Sequence, residues 1–318
     1  MRTYLIFILA VLLHFIPSIS HSSERHALVI GNSSYEVYDL KNPVNDATDM
    51  AAQLQSMGYK IYRNGAMLDM DRSSMERALD DFAQSLPFGA NAVFYYAGHG
   101  MATERDNYLI PISSTLEFQS QLKDRTVGLR SIVELLKSYN SDGTNVLLLD
   151  ACRNNPLTRS FRGMQQGLQK LKNVPRGVFI GYAAESGQVA NDNASAKNGT
   201  YTGQLLESMA AQPNISIEAL HDQVANSVYE TTNGAQFPVS EDRIYGSWCF
   251  VECGTSGTTT SNQYQPEPEQ PPIEISIEPT RNYWKVAGGI ALGIAVIALA
   301  TADDTEPDTV GMTLTPPE

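Results

Sequence analysis

Apolar residues along this chain come in two alternating rhythms, short unbroken runs and stripes at helical spacing. Residues 26–30 are the first run, closed by Gly31-Asn32-Ser33-Ser34-Tyr35, and they predict a strand. Met50, Ala51, Leu54 and Met57 then recur on one face of a helix that Val44-Asn45-Asp46-Ala47 opens and Gly58 stops. Residues 59–62 predict a second strand, and Met75, Leu79, Phe82 and Leu86 a second helix, ended by Pro87-Phe88-Gly89. The run 92–97 predicts a strand that stops at Gly98-His99-Gly100. A short strand is expected over 107–110 and a helix over 131–139, with Ile132, Leu135 and Leu136 apolar. Val146 to Leu149 reads as a fully covered central strand that stops at Asp150-Ala151-Cys152. Residues 154–176 show little apolar periodicity and read mainly as a mobile connection. A strand over 177–183, a polar loop over 184–200, helices over 202–210 and 215–228, and a terminal strand over 245–251 complete the pattern. Such alternation predicts a doubly wound α/β domain with a mostly parallel sheet.

Both ends of the chain read as set apart from that domain. Residues 1–20 carry Arg2, an apolar stretch and then small residues, the parts of a secretory signal peptide; a retained membrane helix is the alternative. From Gly254 the chain turns to Ser, Thr and Gly and then to Pro, Glu and Gln, a low-complexity stalk over 254–285. Residues 286–302 are apolar or small throughout, the shortest length that spans a bilayer, with a buried or surface-lying helix as the alternative. An acidic tail, 303–318, follows. The layout predicts an exported protein, periplasmic or in the cell envelope, held by a single C-terminal transmembrane helix, or otherwise secreted.

Charge narrows the partners. With 35 acidic against 22 basic residues the net charge is -13, and no basic patch offsets repulsion from phosphates, so nucleic acid is not expected. Three cysteines are few. Cys249 and Cys253 lie close enough for a small disulfide in an oxidising compartment, or stay as two thiols, which leaves Cys152 as the odd one. The histidines and cysteines show no zinc-site spacing.

Two of these features combine. Neighbouring parallel strands would bring His99 and Cys152 to the same carboxyl edge, where open α/β sheets keep their sites. A thiol beside an imidazole is the minimal apparatus of nucleophilic catalysis: thiolate attacks a carbonyl and His99 protonates the leaving amine. Backbone N–H groups at Gly100 and Cys152 are the natural donors to the oxyanion. Taken singly, each is weak, since Cys152 could be a small buried hydrophobe and His99 a turn residue. Their order and separation, His first and Cys 53 positions later, match one class of thiol protease. Asp150, two residues before the thiol, and Asp46, at a helix start, are rim carboxylates that would favour a basic side chain in a substrate. Asp46 could instead serve the helix start.

The segments Ala27-Leu28-Val29-Ile30-Gly31-Asn32 with Tyr35, Leu40-Lys41-Asn42-Pro43-Val44-Asn45-Asp46-Ala47, Phe94 to Gly100 and Leu149 to Pro156 resemble the caspase-like cysteine peptidases, the group of metacaspases and paracaspases. Gly181-Tyr182-Ala183, the helix with Thr202 and Leu205-Leu206, and 232–238 with Gln236 extend the likeness to roughly 25–250. The resemblance implies a caspase-haemoglobinase three-layer sandwich over 21–253, with a p20-like part 25–156, a basic connecting loop 157–176 and a p10-like part 177–253. It implies a Cys152–His99 dyad, Gly100 in the oxyanion hole, and cleavage after Arg or Lys held by Asp46 and Asp150; beyond the resemblance, Glu185 or Asp192 could add a third acid. Ala184 departs from the family, where relatives commonly carry threonine. Arg159, Arg162, Lys170, Lys172 and Arg176 in the connecting loop are then sites for self-cleavage. No cofactor is expected; some metacaspases need calcium, and the chain has no EF-hand loop. Two other readings share the same residues: a catalytically inactive binding or scaffold module at the cell envelope, and an acyl hydrolase or transferase using the dyad.

Overall fold

Four apolar runs become the centre of one sheet: β1 (Arg25–Gly31), β4 (Asn91–Ala102), β7 (Thr144–Cys152) and β8 (Val178–Tyr182). This is a computed structural model, and it describes residues 23–36, 39–152, 168–188, 190, 192, 193 and 195–253, with Cys152 given by its backbone. Strand order is β2-β1-β4-β7-β8-β9, where β2 is Lys60–Ile61 and β9 is Val239–Asp242. All neighbours are parallel except β9, which runs antiparallel to β8. β3 (Met67–Leu68) adds to β1, while β5 (Asn107–Leu109) and β6 (Val127–Gly128) fold back on the far end of β4.

Alternation along the strands sorts the core into two walls. Val93, Tyr95 and Ala97 of β4 join Val146 and Leu148 of β7 beneath α1 (Pro43–Ser56) and, at the sequence's other end, the helices Thr200–Ala211 and Ile217–Thr231. Ala92, Phe94 and Tyr96 join Leu147 and Leu149 on the opposite face, under α2 (Arg72–Ser85) and α3 (Leu129–Tyr139). We label the two later helices α4 (Thr200–Ala211) and α5 (Ile217–Thr231). Each fully buried Leu, Val or Phe in these walls contributes about 1.5–3 kcal/mol. The helix starts follow local chemistry. Asp71 caps α2 by accepting the Ser74 N–H at 2.7 Å, and Ser216 caps α5 by accepting that of Ala219 at 3.3 Å. α1 begins with Pro43 and has no side-chain cap of its own.

Four expectations change. β4 does not stop at Gly98 but runs on through His99 to Ala102, because β5 supplies antiparallel partners for Gly100, Met101 and Ala102. The connection expected over 154–176 is part of the core at its far end: Leu168, Leu171 and Val174 are buried against the α2–α3 wall, at a helical spacing too brief to read from sequence. The second strand shrinks to two residues, followed by Arg63 and Asn64 at positive φ. The strand expected over 245–251 is a loop. Its alternating Trp248 and Phe250 are buried, but the Trp248 carbonyl accepts from Ile217 N–H at the start of α5, and the indole N–H donates to Asn91 at 3.0 Å. A disulfide, Cys249–Cys253, closes this loop and is worth about 2 kcal/mol in the chain-entropy account. The last strand is instead Val239–Asp242, a half-buried edge with charged residues and no apolar signature.

The signal peptide, the stalk, the transmembrane segment and the acidic tail expected over 1–20 and 254–318 lie outside the described residues, as does 153–167. Among the described residues no helix is long and apolar enough to cross a membrane.

Candidate active site

The two central strands carry His99 and Cys152 as paired positions. Parallel neighbours lie about 4.8 Å apart, so the register alone puts these two backbones side by side. Ala97 and Asp150 form the pair two residues earlier.

His99 is 4 % exposed, and its main chain is held on both sides. Its N–H donates to the Tyr35 hydroxyl at 2.9 Å, and its carbonyl accepts from Ile110 N–H at 3.0 Å and from the Tyr96 hydroxyl at 2.8 Å. Tyr35 passes its own proton to the Ile110 carbonyl at 3.1 Å, and its ring lies against the imidazole, centroids 4.3 Å apart. Two phenols therefore set the height and tilt of His99. Sequence reading treated Tyr96 as a strand residue and Tyr35 as a point of family likeness; a tyrosine in an apolar run gives no sign of where its hydroxyl ends.

The glycines beside His99 have a packing reason. A Cβ at Gly98, whose φ is +155°, would lie 2.6 Å from both tyrosine hydroxyls. At Gly100 it would lie 2.8 Å from Ala151 Cβ and 3.0 Å from Leu168. The protein's own side chains fill the space beside both glycines. Gly100 is paired with Leu109, and the bond from Ile110 N–H to the His99 carbonyl makes that a non-hydrogen-bonded pair. The Gly100 N–H accordingly points away from β5, toward the side on which β7 ends.

Two of the four acids singled out from the sequence, Asp46 and Asp150, converge on the start of α4. Asp46, in the first turns of α1, is 2 % exposed, and its Oδ1 accepts the Gly199 N–H at 3.0 Å. Asp150 is 4 % exposed, and its Oδ2 accepts the Thr202 hydroxyl at 2.6 Å. Gly199 is the residue before α4 and Thr202 its third, so one helix N-terminus faces both carboxylates and favours their charge. Burial works against that charge. It pushes both carboxyls above the ordinary range; the Asp150 charge raises Asp46 further, and the Thr202 hydroxyl pulls Asp150 part of the way back. Among the described residues neither acid has an ion-pair partner.

Asp192 does a different job. Its carboxylate accepts the backbone N–H groups of Lys41 at 2.9 Å and Asn42 at 3.2 Å, just ahead of α1. The Asn42 side chain returns a bond to the Asp192 carbonyl and one to Asn193 at 3.1 Å. Lys197 and Asn198 reach Asp49 at 2.7 and 3.0 Å, so the 192–199 loop is stitched along α1 and holds Gly199 in place. The backbone just ahead of α1 is thus held by Asp192, 150 residues away, and within the first turn Ser33 Oγ accepts the Val44 N–H at 3.1 Å, while the Asp46 side chain reaches across to Gly199. Glu185 lies on an exposed turn after β8, where its N–H donates to the Phe237 carbonyl at 2.7 Å. Gln236, fully buried, ties the same turn down by donating to the Ala183 carbonyl at 2.8 Å. Among the described residues no group of three or more His, Cys, Asp or Glu could hold a metal ion.

Comparison with known proteins gives this arrangement its relatives. Residues 24–245 match the caspase domain of the C14 peptidases. The human mucosa-associated lymphoid tissue lymphoma translocation protein 1 is 26% identical over 210 residues, 65% of this chain and 24% of that protein. A probable protease from a Desulfuromonadales bacterium is 28% identical over 259 residues, 70% of this chain and 31% of its own length. The chain thus spans a quarter to a third of the curated relatives it matches. A crystallised protein from Geobacter sulfurreducens overlays with a TM-score of 0.53 at 15% identity, covering 73% of this chain and all of that one, which speaks to fold alone. The matched caspase domain takes in β1 through β9 but for the final loop, and the chain belongs to the caspase-domain family of peptidases.

Proposed function

We propose that this protein is a cysteine endopeptidase that cleaves peptide bonds after Arg or Lys, with Cys152 as nucleophile and His99 as its acid–base partner. One observation carries the reading: the paired register of His99 and Cys152, at the carboxyl ends of the two central strands, stands beside two buried acids that have no ion-pair partner among the described residues. The thiolate of Cys152 attacks the scissile carbonyl, and the oxyanion receives the N–H groups of Gly100 and Cys152. His99 gives its proton to the departing amine, leaving a thioester that water hydrolyses. The P1 guanidinium or ammonium enters between Asp46 and Asp150 and lets Asp46 ionise beside the Asp150 carboxylate, so binding releases a proton near neutral pH. Asp192, tied to the backbone ahead of α1, adds only its negative charge near the two acids. No cofactor enters this chemistry.

Two further parts of the reading rest on the same residues. Self-cleavage falls at Arg159 or Arg162, since the buried Leu168, Leu171 and Val174 keep the following stretch packed against the sheet. Export to the envelope, with residues 286–302 as anchor, is supported by the Cys249–Cys253 disulfide, which belongs to an oxidising compartment.

Fluorogenic peptides ending in Arg, Lys, Asp or Ala, given to the full-length protein with and without calcium, test the proposal. Cleavage after Arg and Lys is expected, falling by about a thousandfold or more in Cys152→Ala. Equal hydrolysis by that variant would remove the thiol from the mechanism. Folded protein that cleaves nothing and leaves Cys152 unreactive to iodoacetamide would favour a binding module.

A further inference from the structure

Behind the two acids lies a hydrogen-bond chain that nothing in the proposed reaction uses. Thr202 Oγ1 is 2.6 Å from Asp150 Oδ2 and 2.5 Å from the Tyr95 hydroxyl, and all three residues are buried. A hydroxyl has one proton to give. With that of Thr202 donated to the carboxylate, its oxygen must accept, and Tyr95 is the donor. Tyr95 can fill no other role, because full burial among acids holds its phenol well above the ordinary range. The chain crosses three elements: Tyr95 on β4, four residues before His99; Thr202 at the start of α4; and Asp150 on β7, two before Cys152.

We propose that Thr202, backed by Tyr95, is a positioning residue for substrate selection: it engages Asp150 Oδ2, keeps the carboxylate charged and turns Oδ1 toward the P1 cation. The inference rests on Asp46 and Asp150 forming the P1 pocket. Asp46 is held differently, by the Gly199 N–H and the Asn198 side chain, and among the described residues no hydroxyl bonds to it. The two acids are therefore unequal. Asp150 is the charge that waits for the substrate, and Asp46 is the carboxyl that holds a proton until the cation arrives. Threonine suits the task because its branched Cβ restricts the rotamer that aims the hydroxyl.

Thr202→Val keeps the shape and removes the hydroxyl; Thr202→Ser keeps the hydroxyl. In the valine variant, kcat/KM on Arg peptides is expected to fall about tenfold, mostly through KM. Loss of a donor to the charged form raises the Asp150 pKa, so the acid limb of the pH profile should move up by about one pH unit. Serine should restore both, and Tyr95→Phe should move them in the valine direction by less. A merely structural role would lower stability and kcat alike for every peptide without moving the pH midpoint. Carboxyl 13C titration of Asp150 in the inactive Cys152→Ala protein, with and without Thr202→Val, reads the same effect without turnover. An unmoved titration overturns the role of Thr202 whether or not the protein cleaves peptides. Wild-type protein inactive on basic peptides, with the titration shifted, overturns the protease reading and leaves the Thr202–Asp150 linkage standing.

Discussion

The two faces of the central sheet bury equally apolar walls and differ in what else they bury. Under α2 and α3, Leu28, Phe94, Leu147 and Leu149 pack against Leu79, Phe82 and Ile132, and the polar atoms of that cluster are mainly the hydroxyls of Tyr96 and Tyr182. Under α1, α4 and α5 the wall is as dry near β1 but ends in Asp46 and Asp150, the only buried carboxylates among the described residues. His221 lies on the same side, its burial lowering it to about 4. An unpaired buried charge costs stability, whereas an aliphatic wall adds it. One face is built for holding the sheet together, and the other gives up part of that gain to keep two acids dry beside the paired ends of β4 and β7.

The sharpest way to break this contrast is to damage the apolar face. Leu147 is fully buried in the α2–α3 wall, and Leu147→Ala should cost about 2–5 kcal/mol of unfolding free energy, read by urea denaturation. The ratio of Arg to Ala peptide cleavage should stay unchanged; a shift in that ratio would mean that the two faces are not separable. The reverse experiment is Asp46→Asn. Its amide oxygen can still accept from Gly199, so the fold should hold while preference for Arg over Ala peptides drops by about a hundredfold. Undiminished preference would remove Asp46 from the pocket.

A smaller effect concerns stability against pH. Asp46 has a folded pKa raised above its unfolded value near 4, so the folded state binds more protons than the unfolded one above that pH. Its contribution is complete below about pH 4 and is lost as the pH climbs toward and past neutrality. Asp46→Asn should match the wild type in Tm at about pH 4 and exceed it by about 4 °C at pH 8. His221 acts in the opposite sense, losing stability as pH falls below 6.5, and cancels when variant and wild type are compared at the same pH. A constant difference across the range would show that Asp46 does not carry a raised pKa.

What could be read from sequence follows from the range of the forces involved. Hydrophobic runs and helical stripes are local, and they located β1, β4, β7, β8 and the helices α1 to α5, because a strand or helix must put its apolar residues on a face whatever it packs against. The ends of β4 and of the loop at 245–251 were misjudged for one reason: each depends on a partner distant in the chain, β5 in the first case and the start of α5 in the second. Leu168 escaped notice because a single buried leucine in a basic stretch acquires meaning only against Gly100.

By itself the sequence determined the class of the fold, the family likeness, and His99, Cys152, Asp46 and Asp150 as the residues worth testing, since each stands at the end or start of a locally legible element. Only the tertiary structure decided that Asp192 holds the backbone just ahead of α1, that two tyrosines clamp His99, and that Thr202 engages Asp150. Those contacts join residues more than fifty positions apart or side chains whose hydroxyls have no preferred direction in sequence. They are set by strand register and by where a helix comes to rest on the sheet, which depend on the packing of the whole core.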